Sequence, residues 1–228
     1  MSVRQREKIQ EVLWFIVRGF FFTFEGIDGC GKSTQLKEAA SHLEKDGIPV
    51  LVTREPGGTQ IAEKIREILI SPENSEMVNE CELLLYLAAR AQHVREKIIP
   101  AIKKGVVVLC DRFQEATFAY QGFGRGMSLE FLQKVNGFAT GGLMPDCTFI
   151  FDVPSEVSCR RMEMMGKKRD RLEQNGSDFF DRIRKGYRIL AEKDPEGCLL
   201  IDGSREIGEI SEIVYKKINK FLKSALLK

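Results

Sequence analysis

The sequence is short of several things that would each have decided its class. Two histidines and six cysteines occur in 228 residues, and Cys30, Cys81, Cys110, Cys147, Cys159 and Cys198 stand far apart with no C-x-x-C pair. A structural zinc module needs clustered thiolate and imidazole ligands, so that class is excluded. The scattered thiols point instead to a reducing, cytoplasmic compartment. Charge of one sign is also lacking, since 35 Lys and Arg face 33 Asp and Glu, a net +2. No overall field draws the chain nonspecifically onto nucleic acid or a membrane, and any basic site must be local. No apolar run is long enough to span a bilayer. The nearest, Val12 to Val17, is bracketed by Glu11 and Arg18 and is too short for a signal peptide as well. Residues 1–19 read as an N-terminal extension, either an extra amphipathic helix or a loose segment. No linker, repeat or low-complexity tract divides residues 20–228, which therefore read as one domain.

What is present is an alternation. Five apolar runs look like buried strands: Phe20 to Phe24, Pro49 to Thr53, Val106 to Cys110, Cys147 to Phe151 and Cys198 to Ile201. Between them lie helical patterns at about Ser33 to Lys45, Thr59 to Leu69, Asn79 to Lys103, Ser128 to Ala139, Ser155 to Met165, Asp178 to Lys193 and Ile207 to Leu226. Strands alternating with helices predict an α/β fold, a parallel sheet with helices on both faces.

The first strand runs into Gly26-Ile27-Asp28-Gly29-Cys30-Gly31-Lys32-Ser33, which fits G-x-x-x-x-G-K-[ST] with a strand before it and a helix after it. Glycines let successive backbone N–H groups turn toward phosphate oxygens, and the following helix aims its positive end at the same place. Gly26, Asp28, Gly29, Cys30, Gly31, Lys32, Ser33 and Thr34 are the expected nucleotide-binding set. Lys32 is expected at the β- and γ-phosphates, and Ser33 at Mg²⁺. A second strand ends in Asp111-Arg112, which places a carboxylate at the same sheet edge, suited to the Mg²⁺ shell or to a helix N-cap. No N-K-x-D guanine-reading motif occurs, which argues against a GTPase switch.

Three further segments narrow the choice. Thr53-Arg54-Glu55-Pro56-Gly57-Gly58 fixes an arginine in a turn at the sheet edge. Tyr86 and Arg90 stand four apart on one helix face, where an aromatic plane and a guanidinium suit a flat heterocycle. Core packing for Tyr86 and a surface ion pair for Arg90 are the plainer readings. Tyr120-Gln121-Gly122 adds an amide able to donate and accept on a base edge. Arg160 to Arg171 is locally basic, either a solvated loop or a working lid.

With FEGIDGCGKSTQ, TREPGG, LAARAQH, CDRF, AYQG and DRLE in this order, the chain resembles the thymidylate kinase family of the bacterial kind, from about Phe20 to Leu222. The resemblance implies a P-loop three-layer fold with a five-stranded parallel sheet, a mobile basic lid at about 160–176, and a homodimer. It implies ATP- and Mg²⁺-dependent phosphorylation of dTMP to dTDP. It further implies that Asp28 meets the substrate 3′-hydroxyl, that Arg54 and Arg112 grip the acceptor phosphate, and that Tyr86 stacks on thymine. Arg90 and Gln121 would then contact the base, Tyr120 would pack on the deoxyribose, and Asp111 would join Ser33 at the metal. Some relatives place an arginine after the P-loop aspartate and another before the lid glycine, where this chain has Gly29 and Met165. Arg161 and Arg171, with Lys32 and Arg112, are the expected catalytic cations. A kinase for UMP or CMP, or a nucleotide-dependent switch, would be the rival classes.

Overall fold

A computed structural model describes residues 18–164, 166, 171–172 and 176–226. All but the end of the expected N-terminal extension, and most of the expected lid between 165 and 175, lie outside the described residues. Among those described, β1 (Phe21–Glu25), β2 (Val50–Arg54), β3 (Val107–Asp111), β4 (Cys147–Asp152) and β5 (Cys198–Asp202) form one sheet in the order β2-β3-β1-β4-β5. Every pairing in it is parallel. Helices α1 (Lys32–Lys45), α2 (Gln60–Ile70), α3 (Asn79–His93), α4 (Ile99–Lys103), α5 (Gln114–Thr117), α6 (Leu129–Thr140), α7 (Ser155–Met164), α8 (Ser177–Lys193) and α9 (Ile207–Leu226) make the connections. None is long and apolar enough to cross a membrane.

β1 is buried throughout because helices cover both of its faces. Side chains alternate across a strand, so Phe20, Phe22 and Phe24 pack with Leu36 and Leu43 of α1 and with Phe149 and Phe151 of β4. Phe21 points the other way, into a second core with Ile98, Val108 and Phe113. Leaving β1, the chain goes to β2 at the sheet edge, returns to β3 beside β1, and then crosses to β4 on the other side. The resulting crevice at the carboxyl ends of the strands is where such sheets bind ligands.

Each strand runs one residue past the apolar run that announced it, and the added residue is charged: Glu25, Arg54, Asp111, Asp152 and Asp202. The single helix expected over 79–103 is broken at Val94–Ile98 by a π turn, just before Pro100, which lacks the N–H an α-helical ladder needs. A helix not expected from the sequence occupies α5 and continues as a π turn over Phe118–Gly124. Gly122 and Gly124 weaken its pattern, and π turns of this kind cluster at functional sites.

Candidate active site

The turn from β1 into α1 depends on its glycines. Gly26 has φ +135° and a Cβ there would lie 2.6 Å from the Phe151 carbonyl oxygen. At Gly29, φ is +77° and the corresponding distance to the Ser158 carbonyl oxygen is 2.7 Å. Only glycine tolerates both the angle and the approach. The Ser158 hydroxyl, from α7, donates to the Asp28 carbonyl oxygen and fastens the loop from outside. Cys30 is buried beneath it, and burial raises its thiol pKa. Gly31 caps α1, and Thr34 N–H donates to its carbonyl at 3.1 Å. Ser33 Oγ donates to Asp111 Oδ2 at 2.6 Å. These two oxygen donors fit Mg²⁺, which takes few protein ligands and keeps the rest as water and phosphate oxygen.

Asp28 is where the site's charges meet. Its Oδ1 accepts from Lys32 Nζ at 3.2 Å and from Arg112 Nη2 at 2.7 Å, and its Oδ2 accepts from the Tyr120 hydroxyl at 3.3 Å. Burial pushes the carboxyl upward, but Arg112 and Lys32 outweigh it and hold its pKa well below the usual carboxylate range. Arg112 lies 5.0 Å from the centroid of the Tyr120 ring and donates to the Tyr187 hydroxyl at 3.4 Å. It is the one non-glycine residue with positive φ, +72°, among those described. Glu25, the last residue of β1, accepts the Phe113 N–H at 2.6 Å and the Tyr187 hydroxyl at 2.8 Å, so it fixes the chain just beyond that turn. Burial, and then Glu115, raise the Glu25 carboxyl to about 8. Sequence reading missed Glu25 and Tyr187; the first lies inside the recognised string, whereas nothing in the second's own stretch marks it.

Asp28, Arg112 and Tyr120 open onto a cavity that Tyr86, Arg90 and Gln121 also line. Arg90 is 2% exposed, which corrects the plainer expectation of a surface ion pair. Its Nε donates to Glu55 Oε2 at 2.7 Å, its Nη1 to Thr117 Oγ1 at 2.7 Å and to Asn136 Oδ1, and its Nη2 to the Phe113 carbonyl at 2.8 Å. Four of five guanidinium N–H groups are committed, leaving one for the cavity. Glu55 also takes His93 Nδ1 at 3.0 Å, and His93 Nε2 meets Thr53 Oγ1 at 2.7 Å. Gln121 donates its amide to the buried Glu82 at 2.9 Å. Glu55 and Glu82 were not singled out from the sequence, because acidic residues on short motifs and helices are ordinarily solvated.

Other expected members stand apart. Arg54 donates to Glu63 Oε2 at 2.8 Å and lines the neighbouring groove with Ser33, Lys37 and Asp111, not the cavity that holds Arg112. The expected pair of phosphate-gripping arginines is thus not joined here, because Glu63 sits nearer to Arg54. Arg161 reaches the loop: its Nη1 donates to the Gly29 carbonyl at 3.4 Å, and its Nη1 and Nη2 to that of Gly203 at 3.3 and 3.2 Å. Arg171 is not at the loop. It is buried, donating to Glu82 Oε2 at 2.6 Å and to the Leu69 carbonyl at 2.9 Å.

A phosphate loop at the switch point, with cations gathered between it and a cavity for a flat ring, defines a P-loop kinase acting on a small phosphorylated acceptor. The family model described as "Thymidylate kinase" matches residues 24–214. Among curated relatives, the thymidylate kinase of Caldanaerobacter subterraneus subsp. tengcongensis is 46% identical over 209 residues, 92% of this chain and 99% of that one. That of Pelotomaculum thermopropionicum is 48% identical over 189 residues, covering 83% and 88%, and that of Pseudomonas putida 45% over 204 residues, covering 90% and 95%. The chain belongs to the thymidylate kinase family.

Proposed function

We propose that the protein transfers the γ-phosphoryl group of ATP to the 5′-phosphate of dTMP, in the cytoplasm, giving dTDP and ADP. An oxygen of the acceptor phosphate forms the new bond to phosphorus as the bond to the β-phosphate oxygen breaks. The observation that carries this reading is Asp28, which gathers Lys32 and Arg112 at one point between the phosphate loop and the ring-sized cavity. Cations already aligned there stabilise charge on transferring oxygens without reorganising, and phosphoryl transfer asks for little else beyond alignment. Ser33 and Asp111 would hold Mg²⁺, which when bound neutralises charge on the phosphate oxygens. Tyr86, Arg90 and Gln121 bind the pyrimidine, Tyr120 packs on the deoxyribose, and Asp28 accepts from the 3′-hydroxyl. Arg161 is the lid cation assigned to ATP, and Arg54 joins the acceptor phosphate after leaving Glu63.

The working unit is a homodimer of residues 20–228. Ile61 and Ile68 of α2, Leu84 of α3, and Phe131 and Phe138 of α6 are exposed, Phe138 at 86%, and large apolar side chains left in water on these helices suit burial by a second copy. Sedimentation of the protein and of Phe138→Asp tests this, with a dimer and a monomer expected respectively. The activity is tested by following ADP production with dTMP, dUMP, ribothymidylate and dGMP as acceptors. dTMP is expected to give the highest kcat/KM, and a better acceptor among the others would refute the reading.

A further inference from the structure

The carboxylate of Glu82 lies 1% exposed and does not itself line the cavity that Gln121 lines, and it belongs to neither the phosphate loop nor the metal pair. Its Oε1 accepts from Gln121 Nε2 at 2.9 Å and from Arg125 Nε at 3.4 Å. Its Oε2 accepts from Arg125 Nη2 at 3.2 Å and from Arg171 Nη2 at 2.6 Å. An ionised carboxylate accepts at about four lone-pair positions and donates at none. All four are taken here, three of them by arginine nitrogens, and burial is outweighed by these donors, which keep the carboxyl pKa below its ordinary value.

A group that can only accept dictates which end of a neighbouring amide faces it. Turning Gln121 over would set its carbonyl oxygen against a buried carboxylate oxygen, two acceptors in contact with no proton between them. We infer that Glu82 is a positioning residue for base selection: it locks the Gln121 amide with its nitrogen outward, so that the carbonyl oxygen is presented to the cavity. The inference rests on the pyrimidine occupying that cavity, as proposed above. An acceptor facing the Watson–Crick edge pairs with the N3–H of thymine or uracil and repels the N3 lone pair of cytosine. The choice between a 4-keto and a 4-amino pyrimidine is therefore set in part by a residue that need not touch the base. Arg171 and Arg125 share the task by holding the carboxylate ionised and in place.

Glu82→Gln replaces the obligate acceptor with a group that also donates, which frees the Gln121 amide to turn. The test is the dissociation constant for dCMP divided by that for dTMP, by calorimetry, together with kcat/KM for dTMP divided by that for dCMP. Both ratios should fall at least about tenfold in Glu82→Gln, the loss of roughly one discriminating hydrogen bond. Arg90 still opposes the 4-amino group, so preference for dTMP narrows without reversing. A purely structural role would weaken both ligands equally and leave the ratios where they were. Glu82→Asp keeps the charge and withdraws it by one methylene; it serves if the first variant does not fold, with a fall in the same direction expected. Gln121→Leu separates the two readings. If that variant leaves the ratios unchanged, Gln121 does not read the base, and the pyrimidine assignment at this amide fails along with the inference. If it lowers them while the folded Glu82 variants match the parent within twofold, the role given to Glu82 is overturned.

Discussion

Arg112 sets two demands against each other, and a pair of substitutions separates them. Its N–H donates to the Phe24 carbonyl at 3.0 Å, so the residue still belongs to the ladder beside β1, yet φ is +72° and the next N–H turns back onto Glu25. An L-residue held in that region costs roughly 1–2 kcal/mol relative to ordinary backbone. Arg112→Ala and Arg112→Gly both remove the guanidinium and its bonds to Asp28 and Tyr187, so that loss cancels between them. Alanine keeps the backbone strain, whereas glycine releases it and gives back about 0.4–1 kcal/mol through the greater freedom of its unfolded chain. The net expectation is a glycine variant more stable than the alanine variant by about 0.5–1 kcal/mol. At a position with ordinary φ the same exchange destabilises by about that amount, so the sign itself is diagnostic. In a domain of this size the difference is a rise of about 1–4 °C in Tm, read by calorimetry on both variants in one buffer. Both should show the same depressed kcat with dTMP. An alanine variant melting at or above the glycine variant would refute the assignment of strain at Arg112.

Lys32→Ala should lower kcat by about 10²–10³ with the fold intact by circular dichroism, as expected when an aligned donor is removed; wild-type turnover would count against it. Arg161→Met should reduce kcat/KM for ATP by at least about tenfold while KM for dTMP changes little, and steady-state kinetics with each substrate varied decides the matter. Glu25 has its carboxyl raised from 4.5 to about 8, so the folded state holds the proton more tightly than the unfolded chain. Its contribution to stability is complete below about pH 4.5 and is lost as pH rises through about 8. Urea denaturation of the parent and of Glu25→Gln between pH 5 and 8 should therefore show the parent losing ground to the variant as pH rises, and parallel curves would contradict it.

The parts of the molecule that the sequence announces are those whose cause is local. β1 is legible because FFTF is buried on both faces and so reads as one unbroken run, and the loop after it because its glycines are demanded by angles within the loop itself. The strand ends were missed by one residue for the converse reason, since Glu25 and Asp111 are polar and owe their extended backbone to neighbouring strands. Arg90 is marked by its spacing from Tyr86, but nothing in the sequence shows that Glu55, Phe113 with Thr117, and Asn136 converge on it from three separate segments. The same holds for Arg171, whose partner Glu82 is 89 positions away. Ionic contacts of that separation leave no periodicity to read.

The commitments of Arg90 bear on how this pocket can change over evolutionary time. A guanidinium anchored by four acceptors in three segments is rigid, and recognition through its remaining N–H is confined to one acceptor at one point. Replacing it to admit a different base would leave the buried carboxylate of Glu55 without its guanidinium partner as well as alter the contact, so the first step of any such drift is a loss of stability. New acceptor preferences are accordingly more accessible through the ring of Tyr86, which is only half-buried. The cavity thus has one wall fixed by the requirements of the core and another open to variation, and a library randomised at both positions should return survivors diverse at Tyr86 and nearly uniform at Arg90.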